Sequence, residues 1–382
     1  MDKKNKNPNV PNLRFNNDPY KKYNLYEFAT RVTRKNKDNV SNLPLTISAQ
    51  YGLVDQVSFF NKTVASKDMS GYYLLKNGEF AYNKSYSNDY PWGAIKRLDL
   101  YDMGCLSTLY ICFKTNDNIV NSNYLVHYFE SSKWHKQVAD IAGEGARNHG
   151  LLNIVVNDFF NTKHAVPTIE NQIKIAGFLD LIEKRIQTQI KIIDTLSSQK
   201  KQIRNLIFKD IHKNVNCCIQ DYVVYEQPQK YIVHSTDYLS YGKDYIPVLT
   251  ANQSFILGYT LEKDGIYEKG DCIIFDDFTN ENKYVDFPFK VKSSALKILQ
   301  TKEGLMLKFF YEYLQFLKFE STDHKRHYLS EVAVTDINVP NLKEQTFVCK
   351  VFNSFDSKLK NEEALLEKYR LQKQFLLNNL FI

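Results

Sequence analysis

The chain has 382 residues, of which 43 % are hydrophobic and 14 % aromatic, so it can bury two separate cores and is not a disordered polymer. No apolar run reaches the roughly 18 residues that a membrane span needs, and the first residues lack the apolar core of a secretory signal. The formal net charge of +7 permits nucleic-acid binding without establishing it. Because the six cysteines also lack a metal-ligand or disulfide-framework spacing, we expect a soluble protein of the reducing cytoplasm.

The N-terminal region, residues 1–163, is predicted to be a mixed α/β domain. Its first 40 residues supply ten Lys and Arg against four Asp and Glu, a basic arm that is more often a solvated tail than a binding element. Short runs rich in Tyr, Phe and Val, broken by Gly, Asn and Asp, indicate strands, with a turn at Asn77-Gly78. An amphipathic helix is predicted over 123–134.

Residues 164–210 are predicted to contain one long helix that begins after Pro167. Alternating steps of three and four residues, sustained over about five heptads, are typical of a coiled-coil seam. In this segment the steps fall on Gln172, Ile175, Leu179, Ile182, Ile186, Gln189, Ile193, Leu196, Lys200, Ile203 and Ile207. A helix over 171–208 would be roughly 57 Å long at ~1.5 Å per residue, which is too long for an ordinary core helix.

Residues 211–336 are predicted to form a second mixed α/β domain that is related to the first. The stretch 266–277, with a turn at Lys269-Gly270, resembles the stretch 74–83. A helical pattern over 307–319 then precedes a basic loop, in the same order as in the first domain. The two globular regions therefore look like copies of one ancestral domain.

Residues 337–382 repeat the long helix. The two segments align without a gap at an offset of 173, and the identical pairs are Val166/Val339, Pro167/Pro340, Gln172/Gln345, Gln199/Gln372, Lys200/Lys373, Asn205/Asn378 and Phe208/Phe381. Seam positions are apolar and polar at the same places in both copies. We therefore predict an α+β protein with two mixed α/β domains joined by two long antiparallel coiled-coil helices and an internal pseudo-two-fold repeat.

An internal two-fold would give a dumbbell, with one globular domain at each end of the helix pair. In this arrangement Lys200 would face Glu362 and Gln189 would face Lys373, polar pairs that can fix register at a cost in stability. The alternative is that these side chains lean out of the seam. The predicted helix interface comprises Leu179, Ile182, Ile186, Ile193, Leu196, Lys200, Phe352, Phe355, Leu359, Glu362, Leu366 and Tyr369.

Catalytic motifs are not apparent in the sequence. There is no Gly-rich phosphate loop and no GxGxxG that follows a strand, so nucleotide hydrolysis and dinucleotide chemistry lack support. The eight histidines and six cysteines are scattered and predict no metal site. The pattern favours a binding or scaffolding role over an enzymatic one.

The segment VPTIENQIKIAGFLDLIEKRIQTQIKIIDTLSSQK resembles the first conserved region of specificity subunits of type I restriction-modification enzymes, which carry a Pro, then Glu-Gln, then Ile-Ala and a long helix. The first copy has Glu170-Asn171-Gln172 where Glu-Gln is usual, whereas the second keeps Glu344-Gln345 but has Val348-Cys349 in place of Ile-Ala. Four further stretches resemble the first target-recognition domain of one subgroup: 10–15, 78–98, 104–113 and 143–154.

The resemblance implies a non-catalytic subunit that binds double-stranded DNA. In that family each recognition domain reads one half of a split target, and the helices set the gap and dock two methyltransferase subunits, which motor-nuclease subunits then join. S-adenosylmethionine, ATP and Mg are expected only in those partner subunits, and no cofactor or metal in this chain. The rival interpretations are a coiled-coil scaffold with no DNA role and a fragment of a self-sufficient restriction or methylation enzyme.

Candidate DNA contacts are side chains with forked donors and acceptors for bases, and cations for phosphates. The first choice is a pair of loops with equivalent places in the two domains, one with Arg147, Asn148 and His149, the other with Lys325, Arg326 and His327. Either could instead be a surface loop that caps the preceding helix. The other candidates are Lys84, Lys96 and Arg97 in the first domain and Asn252, Gln253, Lys290 and Lys292 in the second.

Overall fold

The computed structural model describes residues 11–16, 18–48, 51–62, 64–87, 90–143, 150–251, 254–319 and 326–382. The chain divides into two compact units, the first formed by Met1–Gln189 with Leu365–Ile382 and the second by Ile190–Ala364. Each unit thus contains one globular domain and part of both long helices. The predicted α+β class is confirmed.

The first unit consists of short strands around a few helices. Its strands are β1 (Lys21–Asn24), β2 (Ala29–Arg31), β3 (Leu45–Ser48), β4 (Gly52–Asp55), β5 (Tyr73–Lys76), β6 (Phe80–Asn83), β7 (Ala94–Arg97), β8 (Met103–Leu106), β9 (Ile111–Thr115) and β10 (Lys163–Val166). Its short helices are α1 (Leu25–Phe28), α2 (Gln56–Phe60), α3 (Ser122–Glu130), α4 (His135–Ile141) and α5 (Val156–Phe160). The predicted helix over 123–134 is thus interrupted after Glu130.

The long helix α6 (Ile169–Ile211) supplies its first part to the first unit and its last part to the second. The second globular domain follows with strands β11 (Cys217–Cys218), β12 (Val223–Glu226), β13 (Ile246–Leu249), β14 (Ile256–Thr260), β15 (Cys272–Asp276), β16 (Asn282–Val285), β17 (Lys290–Val291), β18 (Leu296–Thr301) and β19 (Asp336–Ile337). The helices there are α7 (Ile219–Tyr222) and α8 (Leu307–Leu317), and α9 (Leu342–Leu380) is the second long helix. Among the described residues no helix is both long and apolar enough to cross a membrane.

The two domains have the same central sheet. Its strand order is β2-β9-β6-β7 in the first unit and β12-β18-β15-β16 in the second, and every neighbouring pair is antiparallel. The turns before β6 and β15 use Gly78 and Gly270, whose φ angles of 82° and 89° are strained for residues with a Cβ atom. The duplication predicted from the turn motifs therefore extends to the whole central sheet.

A second shared feature is the way in which each long helix begins. Strand β10 pairs with β1, and β19 pairs with β11, so each chain segment leaves its domain as a strand before Pro167 or Pro340. Proline fixes φ and disfavours helical backbone in the residue before it. For this reason α6 and α9 begin a few residues after the starts of the segments predicted at 164 and 337.

The long helices pair antiparallel within the second unit, because Lys200 contacts Asp356 whereas the later Phe208 contacts the earlier Phe352. No residue of the predicted helix interface is fully exposed, and Leu179, Ile182, Ile186, Leu196, Phe352 and Leu366 are buried. The predicted ionic pairing needs a correction. Among the described residues, Lys200 pairs with Asp356 and Glu312, and Lys373 pairs with Glu183 and Glu130. Asp356 and Glu183 each lie six residues before the predicted partners Glu362 and Gln189.

His164 on β10 should make the first unit sensitive to acid. Its buried ring lies 2.9 Å from the Tyr128 hydroxyl and 2.8 Å from that of Thr162, and burial lowers the pKa of His164 from 6.5 to about 4. The unfolded chain therefore binds the proton more readily. Stability from this residue is complete above pH about 6.5 and is lost as pH falls toward about 4, by up to about 3 kcal/mol.

Thermal unfolding between about pH 7 and about pH 4.5 checks this expectation in the protein and in His164→Gln, which keeps hydrogen-bonding groups but cannot titrate in this range. The variant should lose less stability than the parent over this range. Equal losses in both proteins would contradict the assignment.

Candidate nucleic-acid interface

In the first unit, the residues after β6 hold the end of the candidate loop 144–149. The Leu152 N–H donates to the Lys84 carbonyl at 2.9 Å, and the Tyr86 N–H donates to the Gly150 carbonyl at 3.2 Å. A bridge between Ser85 and Leu151 lies between these bonds. The structure thus places half-buried Lys84 beside the point where this loop returns, whereas Arg147, Asn148 and His149 lie outside the described residues.

In the second unit, the residues after β15 hold the end of the candidate loop with Lys325, Arg326 and His327 in the same way. The His327 N–H donates to the Asp277 carbonyl, and the Tyr328 N–H donates to the Asp277 carboxylate, both at 2.9 Å. Arg326 is exposed, and its guanidinium carbon lies 5.8 Å from the centre of the Phe278 ring. Lys325 lies outside the described residues.

Since β6 and β15 occupy the same place in the two sheets, the two candidate loops return at equivalent positions. An exposed guanidinium over an aromatic ring, as in Arg326, can direct its donors to a guanine edge or a phosphate. Arg326 can therefore present a forked cation beside the residues that follow β15, an arrangement suitable for reading DNA.

A buried ion pair underlies the loop in the second unit. Lys297 Nζ lies 3.1 Å from the Asp277 carboxylate, both side chains are only 4 % exposed, and the ammonium lies 4.5 Å from the centre of the Tyr225 ring. Asp277 also donates its own N–H to the Ala295 carbonyl at 3.1 Å. Asp277 thus joins His327 and Tyr328 to the sheet.

A second pair of equivalent loops lies at the hairpins β3–β4 and β13–β14. Asn252 and Gln253, which fall between β13 and β14 in the sequence, lie outside the described residues. Exposed Lys292 donates its N–H to the Leu249 carbonyl at 3.1 Å, which places it at the base of that turn. Lys292 and the predicted adenine-reading turn are therefore neighbours.

The equivalent turn of the first unit was missed from the sequence. It follows Ser48 and precedes Gly52, and its sequence Ser-Ala-Gln resembles the Thr-Ala-Asn at 250–252. Gln50, the candidate reader there, lies outside the described residues. This short likeness, placed just before a glycine and after an apolar strand, was the signal that could have identified it.

Four candidates predicted from the sequence have partners within the protein. Lys290 is 0 % exposed and forms an ion pair with Glu262 at 2.6 Å, so it does not reach a phosphate. Although burial opposes it, the bond from Lys290 helps to lower the pKa of Glu262 to about 2. The others are Arg97, held by Asp99, Ser122 and Asn123; Lys96, 3.5 Å from Glu130; and buried His327, 2.9 Å from Glu331.

Metal-ligand groups come together at one exposed place among the described residues, where His234, Glu262 and Asp264 have ligand atoms within 4.8 Å of one another. Glu262, however, already accepts hydrogen bonds from the backbone of His234 and Ser235 and pairs with Lys290. A cation would have to compete with this ammonium. The cluster is better explained as a turn that satisfies Glu262.

Comparisons with known proteins find similarity in sequence over one part of the chain and in fold over nearly all of it. No protein-family model matches the chain. Over 122 residues the chain is 48 % identical to the "Type I restriction enzyme EcoR124I/EcoR124II specificity subunit" of Escherichia coli, and this match spans 30 % of each protein. The curated relative is therefore matched over less than a third of its length.

The fold is shared over nearly the whole chain. The S subunit of a type I restriction-modification system from M. genitalium superposes with a TM-score of 0.59 at 15 % identity, over 98 % of this chain and 99 % of that one. A second solved structure concerns complex assembly and conformational transition of the type I R-M system. One of its chains superposes with a TM-score of 0.55 at 14 % identity, over 96 % of this chain and 99 % of that one. The resemblance to type I specificity subunits is confirmed.

Proposed function

We propose that this chain is the specificity subunit of a type I restriction-modification complex and that each globular domain reads one half of a bipartite duplex DNA target. The observation that carries the proposal is the duplicated sheet, which holds a candidate reading loop at the end of its third strand in both units. Sequence identity to one such subunit and the shared fold support it. In this proposal the chain itself catalyses no reaction.

The partners proposed are two methyltransferase subunits and the motor-nuclease subunits, which would supply S-adenosylmethionine, ATP and Mg. Exposed apolar residues on the long helices, Ile192, Leu365 and Phe375, together with half-buried Ile190, are the proposed methyltransferase contacts. Ile192 and Leu365 occupy equivalent positions in the repeat, so each long helix has one exposed apolar side chain at this position. We further propose that the helices set the gap between half-sites and that the complex acts in the cytoplasm.

A matched pair of loop replacements tests the proposal. Residues 144–149 in one variant and 320–325 in the other are exchanged for a Gly-Ser segment of equal length, and each protein is used with its methyltransferase subunit to select duplexes from a random library. Each variant should lose one half of the selected motif and keep the other. Loss of both halves from either variant, or of neither, would contradict reading by separate domains.

Arg326 is the described residue for which we expect direct readout in the second domain. Arg326→Lys keeps the charge but removes the planar fork, so discrimination at one base pair should fall by about 1–3 kcal/mol while the salt dependence of binding stays the same. Competition binding with single-base-pair variants of the target, at fixed ionic strength, measures this difference. Lys263→Ala, at an exposed position of the same unit, is the control, and full discrimination in Arg326→Lys would reduce Arg326 to a phosphate contact.

A further inference from the structure

We infer that each recognition domain is oriented by a clamp whose central cation comes from the end of the long helix that follows the other domain in the sequence. The clamp consists of Lys373, Glu130 and Glu183 in the first unit and of Lys200, Glu312 and Asp356 in the second. This inference rests on the proposed function and adds to it the residues that position the two readers.

In the first unit, Lys373 of α9 joins the domain to the start of α6. Its ammonium lies 2.9 Å from the Glu130 carboxylate at the end of α3 and 2.7 Å from Glu183 on α6. Lys96 of the central sheet lies 3.5 Å from the other oxygen of Glu130. Burial would lower the pKa of Lys373, but the two carboxylates outweigh burial and raise it, so the cation is retained.

In the second unit, Lys200 of α6 makes the same set of contacts. Its ammonium lies 3.1 Å from Glu312 on α8 and 2.5 Å from Asp356 on α9. Lys200 and Lys373 are an identical pair of the sequence repeat, and Asp356 lies 173 residues after Glu183. The same three elements, namely the domain helix, the start of one long helix and the end of the other, are thus joined in both units. The two long-helix residues are equivalent in the repeat, whereas the domain-helix carboxylate ends α3 but lies in the middle of α8.

An aromatic contact accompanies each clamp. Phe381, just after α9, packs on Tyr124 and Tyr128 of α3, with ring centres 5.2 and 5.8 Å apart. Phe208, its repeat partner, packs on Phe309 and other rings of the second unit at 4.8–6.2 Å. Each helix end therefore contributes a cation and a buried phenyl ring to the domain of the other repeat.

The third feature that the two repeats share is a buried glutamine at the start of each long helix. The Gln172 side chain accepts from the Asn121 N–H at 2.7 Å and donates to the Pro167 carbonyl at 2.8 Å. Gln345 accepts from the Met306 N–H and donates to the Pro340 carbonyl, both at 2.8 Å. Asn121 and Met306 are the N-caps of α3 and α8, so each domain helix is held at its N-terminus by this glutamine and further along by its clamp.

Five of the seven identities in the repeat belong to these contacts or to the Val-Pro that precedes each helix: Val166/Val339, Pro167/Pro340, Gln172/Gln345, Lys200/Lys373 and Phe208/Phe381. Charged hydrogen bonds in a partly desolvated site fix geometry more tightly than apolar packing does. The end of each long helix contacts the domain that it does not follow in the sequence. The loss of a clamp lysine should therefore affect that other domain. A change in the C-terminal helix should affect reading by the N-terminal domain.

Lys373→Met and Lys200→Met test the inference in the assembled methyltransferase, since methionine keeps the packing of the alkyl chain. Duplex libraries randomised in one half-site and in the spacer are used for selection. Lys373→Met should reduce discrimination at the first half-site about tenfold or more and widen the accepted spacer, whereas Lys200→Met should do so at the second. Lys368→Met, at an exposed position of α9, should change neither.

A double-mutant cycle separates positioning from general loss of structure. Lys373→Met combined with Glu130→Gln should cost clearly less than the sum of the two single changes, because both changes break the contact between Lys373 and Glu130. Losses that multiply, or equal losses at both half-sites, would overturn the clamp.

Hydrogen exchange of the DNA-free chain gives a readout that does not depend on the proposed function. Lys373→Met should speed exchange in α3 and leave α8 unchanged, and Lys200→Met should do the reverse. Unchanged exchange in both helices would overturn the clamp. A wild-type chain that selects no DNA, yet shows this crossed exchange, would refute the proposed function and leave the clamp standing.

Discussion

Replacing Glu312 with glutamine is expected to lower the free energy of unfolding of the second unit by about 3–5 kcal/mol. The Glu312 side chain is 0 % exposed, and three cations contact it: Lys200 at 3.1 Å, Arg204 at 2.8 Å and Lys308 at 2.9 Å. Burial alone would raise the pKa of Glu312, but these charges outweigh burial and lower it. Without the carboxylate, three half-buried cations would repel one another.

The sign of the pH dependence follows from the lowered pKa of Glu312. Its contribution to stability is complete above the unfolded value of 4.5 and is lost as pH falls below it, toward the lower pKa of the folded state. Hydrogen exchange of the α8 amides measures the effect within the second unit. Glu303→Gln, at an exposed position, is the control, and a change in Glu312→Gln no larger than in this control would contradict the assignment.

Replacing Lys297 with methionine is expected to have a similar cost, about 3–5 kcal/mol, and also to weaken reading by the second domain. Asp277 would keep a buried negative charge with no cation beside it, and the same carboxylate holds the Tyr328 N–H at 2.9 Å. The segment that carries Arg326 would therefore lose its attachment to the sheet. The first half-site should be read as before.

The double variant Asp277→Asn with Lys297→Met tests whether the unpaired charge of Asp277 causes this loss of stability. The asparagine can still accept the Tyr328 N–H, and no buried charge remains, so much of the lost stability should return. Chemical denaturation together with competition binding measures both effects. A double variant that is less stable than Lys297→Met would show that the ion pair is not the source of the loss.

The long helices and the duplication were predictable because they depend on local, repeated patterns. The 3,4 spacing of apolar residues identified α6 and α9, and the glycines at 78 and 270 marked equivalent turns. The loop 144–149 and Lys84 were proposed separately, and the structure brings their neighbourhoods together through the bond between Leu152 and Lys84. Strand order itself had no signal in the sequence.

The partners of charged residues were not predictable, because they are set by elements distant in sequence. Lys200 was expected to face a seam residue, but it reaches past the seam to Glu312 on the domain helix α8. A two-helix pattern carries no information about a third element that packs beside it. The internal partners of Lys290 and Arg97 were missed for the same reason. A lysine or arginine in a strand can point to a carboxylate of the protein as readily as to solvent, and the sequence does not distinguish the two.

The central claim is that two domains of one chain read two halves of a DNA target for partner methyltransferase subunits. The most direct measurement is co-expression with the methyltransferase subunit encoded nearest to this gene, followed by mapping of methylated adenines over a genome. A split motif with a fixed gap is the predicted result, with one half altered when 144–149 is replaced and the other when 320–325 is replaced. A continuous motif, or methylation whose sequence does not depend on this chain, would contradict the account.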